Sequence, residues 1–405
     1  MILDTLNKQL VEVVQNVAAQ KSVKIDKELL DQINFEISDE ESHGDYSTSC
    51  ALKLAKAFNM KPREISELLT KDLSLPFIES MSIEGAGFIN VFLTSAEKTL
   101  ALKEVIKLDS KWGKNSKRQG NVLVEFVSSN PTGPLHVGHG RGAVLGMALS
   151  NLLENSGYKV TKEYYVNDAG RQISILTSSI LLKAYAGNFD VEGMYEGDYI
   201  HEIAQEFLKD NKKIDINLDL KGLSDDNEKK LDQISEYFQK NHEKTWKAAN
   251  DFSITKILNV IKGELHNFNI IHDNWFHESS LGSIRDPGSD LSKSLSAIEN
   301  AGYTFSKDDA IWFKTTEFKD DKDRVLLREN GEPTYYLTDV GYHKNKIDRN
   351  YDLCINVFGA DHHGYITRLN AAFDVMKSKK QEIEFMLYQL VNLYEDGNKK
   401  AMSTR

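Results

Sequence analysis

The chain has 405 residues, more than one typical domain, so two or three domains are expected. Its 50 basic and 61 acidic residues leave a net charge of −11, which excludes a general nucleic-acid coat protein, whose affinity rests on massed Lys and Arg. No apolar run approaches the ~20 residues that span a bilayer, and Met1 to Lys21 lacks a basic start and an apolar segment. A cytoplasmic protein with no membrane contact is therefore expected. Cys50 and Cys354 stand alone, without the clustering of a zinc site, and read as buried reduced thiols.

Residues 1–110 form the first predicted unit. Ile2 to Ala19 has helical spacing through Leu6, Leu10, Val13, Val14 and Val17. Ser47 to Asn59 repeats it, and Pro62 opens another short helix. Gly85 to Leu93 alternates like a strand. His43-Gly44-Asp45-Tyr46 carries ordinary turn chemistry. This is a small α/β domain without an evident catalytic cluster. The basic, glycine-bounded stretch 111–120 reads as a linker, and 121–405 as the second domain.

Asn121 to Val127 is a buried strand by its apolar run, and Gly142 to Asn155 an amphipathic helix ending near Gly157. Tyr158 to Val166 is the next strand. Strand, helix and strand in this spacing form a βαβ unit, so the sheet is parallel and Rossmann-like. Residues from about 172 to 310 are mostly helical and highly charged, and read as an insertion. Asn330-Gly331 predicts a hairpin between Arg324–Glu329 and Glu332–Thr338. Asp352 to Phe358 is another buried strand; it ends in Gly359-Ala-Asp361-His362-His363-Gly364, and a helix follows. A last strand is expected near Glu384 to Tyr394, with a turn at Asp396-Gly397.

The loop between the first of these strands and its helix holds two prolines, three glycines and two histidines. One reading is a dinucleotide site: Gly138-x-Gly140-x-x-Ala143 has the glycine spacing, and Glu163 lies where a ribose carboxylate belongs. That fingerprint, however, needs its glycines directly after the strand. A second reading gathers His136, His139, Asp361, His362 and His363 on a cation, without any recognised ligand spacing. A third is nucleotidyl transfer. A His-x-Gly-His loop at a helix start offers backbone N–H groups and a positive dipole end to phosphates, and its imidazoles stabilise charge on an α-phosphate.

The full string favours the third reading. Ser128-Ser129-Asn130-Pro131-Thr132-Gly133-Pro134-Leu135-His136-Val137-Gly138-His139-Gly140 resembles the histidine-rich signature of class I aminoacyl-tRNA synthetases, in the form typical of arginyl-tRNA synthetases. His43-Gly-Asp-Tyr and Gly85-Ala-Gly-Phe-Ile-Asn are similar to that family's N-terminal domain. Asp320 to Leu326, Thr334 to Asp339 and Phe358 to Tyr365 are similar to its catalytic core, and Met402-Ser403-Thr404-Arg405 to its second signature. The resemblance covers nearly the whole chain.

It implies ATP-dependent activation of L-arginine to arginyl-adenylate, followed by transfer to the 3′ end of tRNA(Arg), in a monomer. Mg²⁺ would accompany ATP, with no structural metal, and activation would need bound tRNA. For ATP the matching positions are His136, Gly138, His139, Gly359, Asp361, His362, Met402 and Ser403, with His136 and His139 catalytic. For arginine they are Glu125 and Asn130 at the α-amino and carboxylate end, Tyr335 and Asp339 at the guanidinium end, with Ser128 and His363 also assigned to the arginine. Asp339 also stands on chemistry: a guanidinium needs planar acceptors, and Asp339 lies one turn after Tyr335 if that segment is helical.

Two departures stand out. The second signature has Ala401 and Thr404 where lysines are usual, and Gly133-Pro134-Leu135 supplies no substitute lysine before the histidines, leaving Lys399, Lys400 or Arg405 to carry the charge. The family's C-terminal anticodon-binding domain is also expected to be absent. Two further readings follow: a non-catalytic RNA-binding or regulatory paralogue, and a small-molecule nucleotidyltransferase.

Overall fold

A computed structural model describes residues 2–115, 117–186, 191–211, 214, 222–378 and 380–400. It divides into two units, Met1–Gly113 and Lys114–Arg405.

The first unit begins with α1 (Ile2–Gln20), whose heptad-like stripe Leu6, Leu10, Val13, Val14 and Val17 is buried. After α2 (Lys27–Asp31) come β1 (Glu36–Ile37), β2 (Tyr46–Thr48), α3 (Cys50–Phe58), α4 (Pro62–Asp72), β3 (Ile78–Glu84), β4 (Phe88–Leu93) and α5 (Ser95–Leu108). The sheet is antiparallel, in the order β1-β2-β4-β3. Ser47 and Thr48, expected in a helix, belong to β2, because Ser47 and Thr48 pair with Asn90 and Ile89 of β4. His43-Gly44-Asp45 is a turn locked to the same strand. Gly44 has φ +79°, and a Cβ there would lie 2.6 Å from the Val91 carbonyl oxygen, while the Asp45 carboxylate accepts from the Leu93 N–H at 2.8 Å.

The second unit starts with β5 (Gly120–Glu125), α6 (Val137–Asn155) and β6 (Tyr158–Val166). Then come α7 (Arg171–Tyr185), α8 (Asp198–Asp210), α9 (Asn227–Asn241), α10 (Glu243–Asn267), β7 (Asn274–His277) and α11 (Asp290–Asn300). The chain continues through β8 (Thr304–Lys307), β9 (Ala310–Phe313), β10 (Arg324–Leu327), α12 (Tyr335–Asp348), β11 (Leu353–Gly359), α13 (Ile366–Met376) and β12 (Glu382–Tyr388), with the β13–β14 hairpin (Leu393–Glu395, Asn398–Lys400) after it. The main sheet is parallel throughout, in the order β12-β11-β5-β6-β7.

Three differences from the sequence expectations have physical causes. The stretch 172–310 is not one helical block, because β7 returns to the edge of the main sheet; four residues are too few for a strand period to show. The Asn330-Gly331 turn closes only an isolated Leu327–Pro333 bridge, since Thr334 caps the next segment as a helix by accepting from the Leu337 N–H. α6 begins at Val137, inside the histidine loop, and lies close on the sheet through Gly142, Ala143, Gly146 and Ser150, leaving Leu152 exposed. A Cβ on Gly146 would meet the Phe126 ring at 2.2 Å, so this approach requires glycine.

One row of the sheet is polar. Asn356 of β11, Glu125 of β5, Glu163 of β6 and Asn274 of β7 are register partners across four strands. Asn356, Glu125 and Glu163 are buried. Above them lies α12: Lys346 reaches Glu125 and Asn356, both at 2.5 Å, while Arg349 and the Tyr342 hydroxyl reach Glu163.

Candidate active site

A cleft of about 760 Å³ opens at the C-terminal ends of β5 and β11, where parallel sheets place their ligands. The strand β5 leaves the sheet through a sharp kink: Val127 has φ +71° and Ser128 φ +43°. A β-branched residue in that region is strained, and such strain persists where surrounding contacts enforce it. Here the Ser128 hydroxyl donates to Glu125 Oε1 at 3.0 Å and accepts from the Tyr165 N–H at 3.1 Å. Beyond the kink, Asn130 Nδ2 donates to Gln172 at 2.8 Å, the Thr132 carbonyl accepts from the Tyr199 hydroxyl, and the Leu135 N–H donates to Glu264 at 2.9 Å. The loop is thus fastened to α7, α8 and α10.

His136 is the N-cap of α6. Its Nδ1 accepts from the Gly138 N–H at 3.1 Å, and His139 Nδ1 accepts from the His136 N–H at 3.2 Å. The rings stack at 3.9 Å. With both Nδ1 atoms used as acceptors, each neutral ring carries its proton on Nε2. Burial lowers the pKa of both; His139 is brought down to about 4, with the His136 charge a lesser cause. At neutral pH the pair therefore offers two uncharged N–H donors at a helix N-terminus, an arrangement suited to phosphate. Gly359, Asp361, His362, Tyr388 and Leu390 also line the cleft.

The other end is acidic. Asp339 borders the cleft from α12, and its Oδ2 accepts from the Tyr365 hydroxyl at 2.7 Å. Burial raises its pKa to about 7, helped by the negative charges of Glu278 and Glu125 and opposed by Tyr365 and Lys346. Glu278 accepts from the Tyr165 hydroxyl at 2.7 Å, and burial raises its pKa too. Tyr165, Tyr342 and His343 complete the wall. Glu163 is not free for a ribose. Burial pushes its pKa up, but Arg349 and further cation and hydroxyl contacts outweigh that and hold it below the usual range. The glycine-spacing reading of a dinucleotide site fails on this pairing.

Of the residues expected from sequence, Glu125, Ser128, Asn130, Pro134, His136, His139, Asp339, Gly359, Asp361 and His362 line one cleft. Tyr335 does not: it is 65 % exposed at the first position of α12 and lies outside the lining. A side chain there leans back past the helix start rather than down toward Asp339. His363 is likewise exposed in the short 3₁₀ turn after β11, outside the lining. Gly138 acts through its N–H on His136 rather than by lining the cleft. Met402 and Ser403 lie outside the described residues. No group of three or more His, Cys, Asp or Glu among the described residues is arranged to hold a metal ion. Missed by sequence reasoning were Tyr165, Glu278, Tyr342, His343, Lys346 and Tyr365. Tyr342, His343 and Lys346 share the helical stripe of Asp339, a signal visible once that segment is taken as helix; Glu278 has no such signal.

A parallel sheet with a His-x-Gly-His helix start at its strand ends is the catalytic architecture of class I aminoacyl-tRNA synthetases. Residues 101–405 match the family described as "tRNA synthetases class I (R), catalytic domain", and residues 4–93 match "Arginyl tRNA synthetase N terminal domain". An arginine–tRNA ligase of Legionella pneumophila is 39% identical over 406 residues, covering 95% of this chain and 68% of that protein. One from Nitrosospira multiformis is 39% identical over 385 residues, covering 92% of this chain and 66% of that protein. The Thermus thermophilus arginyl-tRNA synthetase structure shares the fold with a TM-score of 0.59 at 21% identity, covering 96% of this chain and 66% of that one. The chain belongs to the arginyl-tRNA synthetases, ATP-dependent arginine–tRNA ligases, and spans about two thirds of the length of these relatives.

Asp339 sets a stability signature. Its folded pKa of about 7 lies above the ordinary carboxylate value, so the native state holds this proton more tightly than the unfolded state. The stabilisation is complete below about pH 4 and is lost as pH rises through about 7. Asp339→Asn is expected to stabilise the protein at pH 8 relative to pH 5, by roughly 2–3 kcal/mol. Urea titrations of both proteins at the two pH values check this; an unchanged pH dependence contradicts it.

Proposed function

We propose that this cleft joins L-arginine to ATP and passes the arginyl group to tRNA(Arg). The observation that carries the reading is Asp339, a deep carboxylate at the cleft wall that is held by a tyrosine hydroxyl and has no ion-pair partner among the described residues. Such a group is suited to a guanidinium, which meets a carboxylate in a planar fork. The opposite end carries neutral N–H donors for phosphate.

In this reading Glu125, Ser128 and Asn130 hold the α-amino and carboxylate end, and Asp339 holds the guanidinium, with Tyr165 and Tyr342 walling the side chain. Gly359, Asp361 and His362 receive the ribose side of ATP. An oxygen of the arginine carboxylate attacks the α-phosphorus, and the bond to pyrophosphate breaks. No protein nucleophile is needed, and the work is positioning and charge stabilisation. The Nε2–H groups of His136 and His139 donate to the phosphate oxygens as charge builds there. A ribose hydroxyl at the tRNA 3′ end then attacks the adenylate carbonyl, releasing AMP. Mg²⁺ enters as part of the substrate, chelated by the ATP phosphates. Met402 and Ser403 are assigned to ATP by family resemblance alone. The setting proposed is the cytoplasm, in keeping with two buried unpaired thiols, and the working form a monomer.

Arginine- and tRNA(Arg)-dependent pyrophosphate release tests this. Asp339→Ala is expected to lower kcat/KM for arginine by at least about 100-fold, the scale of losing a buried charged partner. An equal response to lysine or glutamine would overturn the specificity. The absent signature lysines at Ala401 and Thr404 favour a second reading, a non-catalytic RNA-binding paralogue; failure to bind an arginyl-adenylate analogue would support it.

The first unit is proposed to contact the outer corner of tRNA. Deleting residues 1–110 should weaken tRNA binding and leave ATP binding intact. Unchanged tRNA affinity would remove that role.

A further inference from the structure

Lys346 is 0 % exposed, among the largest fully buried side chains of the protein. A lysine in that position is expensive unless its charge is met. Its ammonium bonds Glu125 Oε2 and Asn356 Oδ1, both at 2.5 Å, and lies 4.1 Å from the centre of the Tyr342 ring. Glu125 comes from β5 and Asn356 from β11, so the lysine bridges two neighbouring strands from above. Glu125 Oε1 meanwhile accepts from Ser128, the residue at the strained kink. Both carboxylate oxygens are thereby oriented, and Glu125 still borders the cleft. Lys346 itself does not line it.

The same helix carries Asp339 seven residues earlier, roughly 10 Å along its axis. α12 thus presents one carboxylate directly to the cleft and, through Lys346, fixes another contributed by β5.

We propose that Lys346 is a positioning residue for amino-acid recognition: it holds Glu125 in the orientation that receives the α-ammonium group of the substrate. It touches neither substrate nor reacting atoms and acts through Glu125. Removing it leaves a buried carboxylate without its cation, and a group in that state turns away or takes up a proton rather than waiting as an anion. The ammonium then loses its partner, while the guanidinium end, held by Asp339, keeps its own.

This inference rests on the arginine reading of the cleft, and the test separates the two. Binding of L-arginine and of 5-guanidinopentanoate, which lacks only the α-amino group, is measured by calorimetry on the wild-type chain and on Lys346→Met. The variant is expected to bind arginine about 10- to 100-fold more weakly and the desamino analogue within about threefold of wild type, with ATP binding unchanged. Equal loss for both ligands would make the role merely structural and overturn the proposal. Unchanged or tighter arginine binding would overturn it as well. Should Lys346→Met fail to fold, Lys346→Gln, which keeps a donor toward both oxygens, decides by the same ratio: a preferential loss for arginine supports the proposal, and an unaltered ratio overturns it. If the wild-type chain binds neither ligand, it is the arginine reading that fails.

Discussion

Two carboxylates lie side by side in the interior of the main sheet, and the catalytic unit depends on how they are neutralised. Glu125 and Glu163 are register partners on β5 and β6, both buried. Left alone, such a pair would be costly in desolvation and mutual repulsion. α12 and the residue that caps its C-terminus answer each with a cation: Lys346 for Glu125 and Arg349 for Glu163. The Tyr342 hydroxyl adds a hydrogen bond to Glu163, and Asn274 another from β7. Buried ion pairs of this kind are weak evidence for net stability, but breaking one is expensive. They allow α12 one seat on the sheet, and that seat sets where Asp339 meets the cleft.

From this constraint follows a cleft with two electrostatic characters. At one end three carboxylates, Glu125, Asp339 and Glu278, surround the Tyr165 hydroxyl closely enough to raise its pKa, with burial the larger cause. One internal lysine does not balance them. At the other end, the two histidines of α6 are neutral, because their δ nitrogens are occupied by backbone N–H groups and burial disfavours their charge. A ligand with cations at one end and phosphate at the other fits this division. The kink at Val127 and Ser128 turns the chain from strand to loop.

Much of this frame was legible in the sequence. The apolar run of β5, the prolines and glycines after it, and the histidine pair identify a strand–loop–helix junction before any coordinates. So does the second junction at Gly359. The start of α12 was less legible, because Asn330-Gly331 is a strong local turn signal and the capping bond of Thr334 acts over only three residues. That start matters: it sends Tyr335 outward while Asp339, one turn later, faces the cleft. Lys346 was hidden for a different reason. In the run His343-Lys-Asn-Lys-Ile-Asp-Arg349 it looks like one charge of a solvated helix face. Its burial depends on Glu125, 221 positions away in sequence, a pairing no local pattern encodes. Glu278 is likewise brought in by a strand too short to announce itself.

The acidic end is suited to a guanidinium, and proton counting on arginine binding tests that fit most directly. With its pKa raised to about 7, Asp339 is largely protonated just below neutrality, and an arriving guanidinium must displace that proton. Calorimetry at pH 6.5 in buffers of different ionisation enthalpy should report net proton release on arginine binding. Asp339→Asn should release close to none if it still binds. Arginine binding by the wild-type protein with no proton release, or with net uptake, would contradict the account.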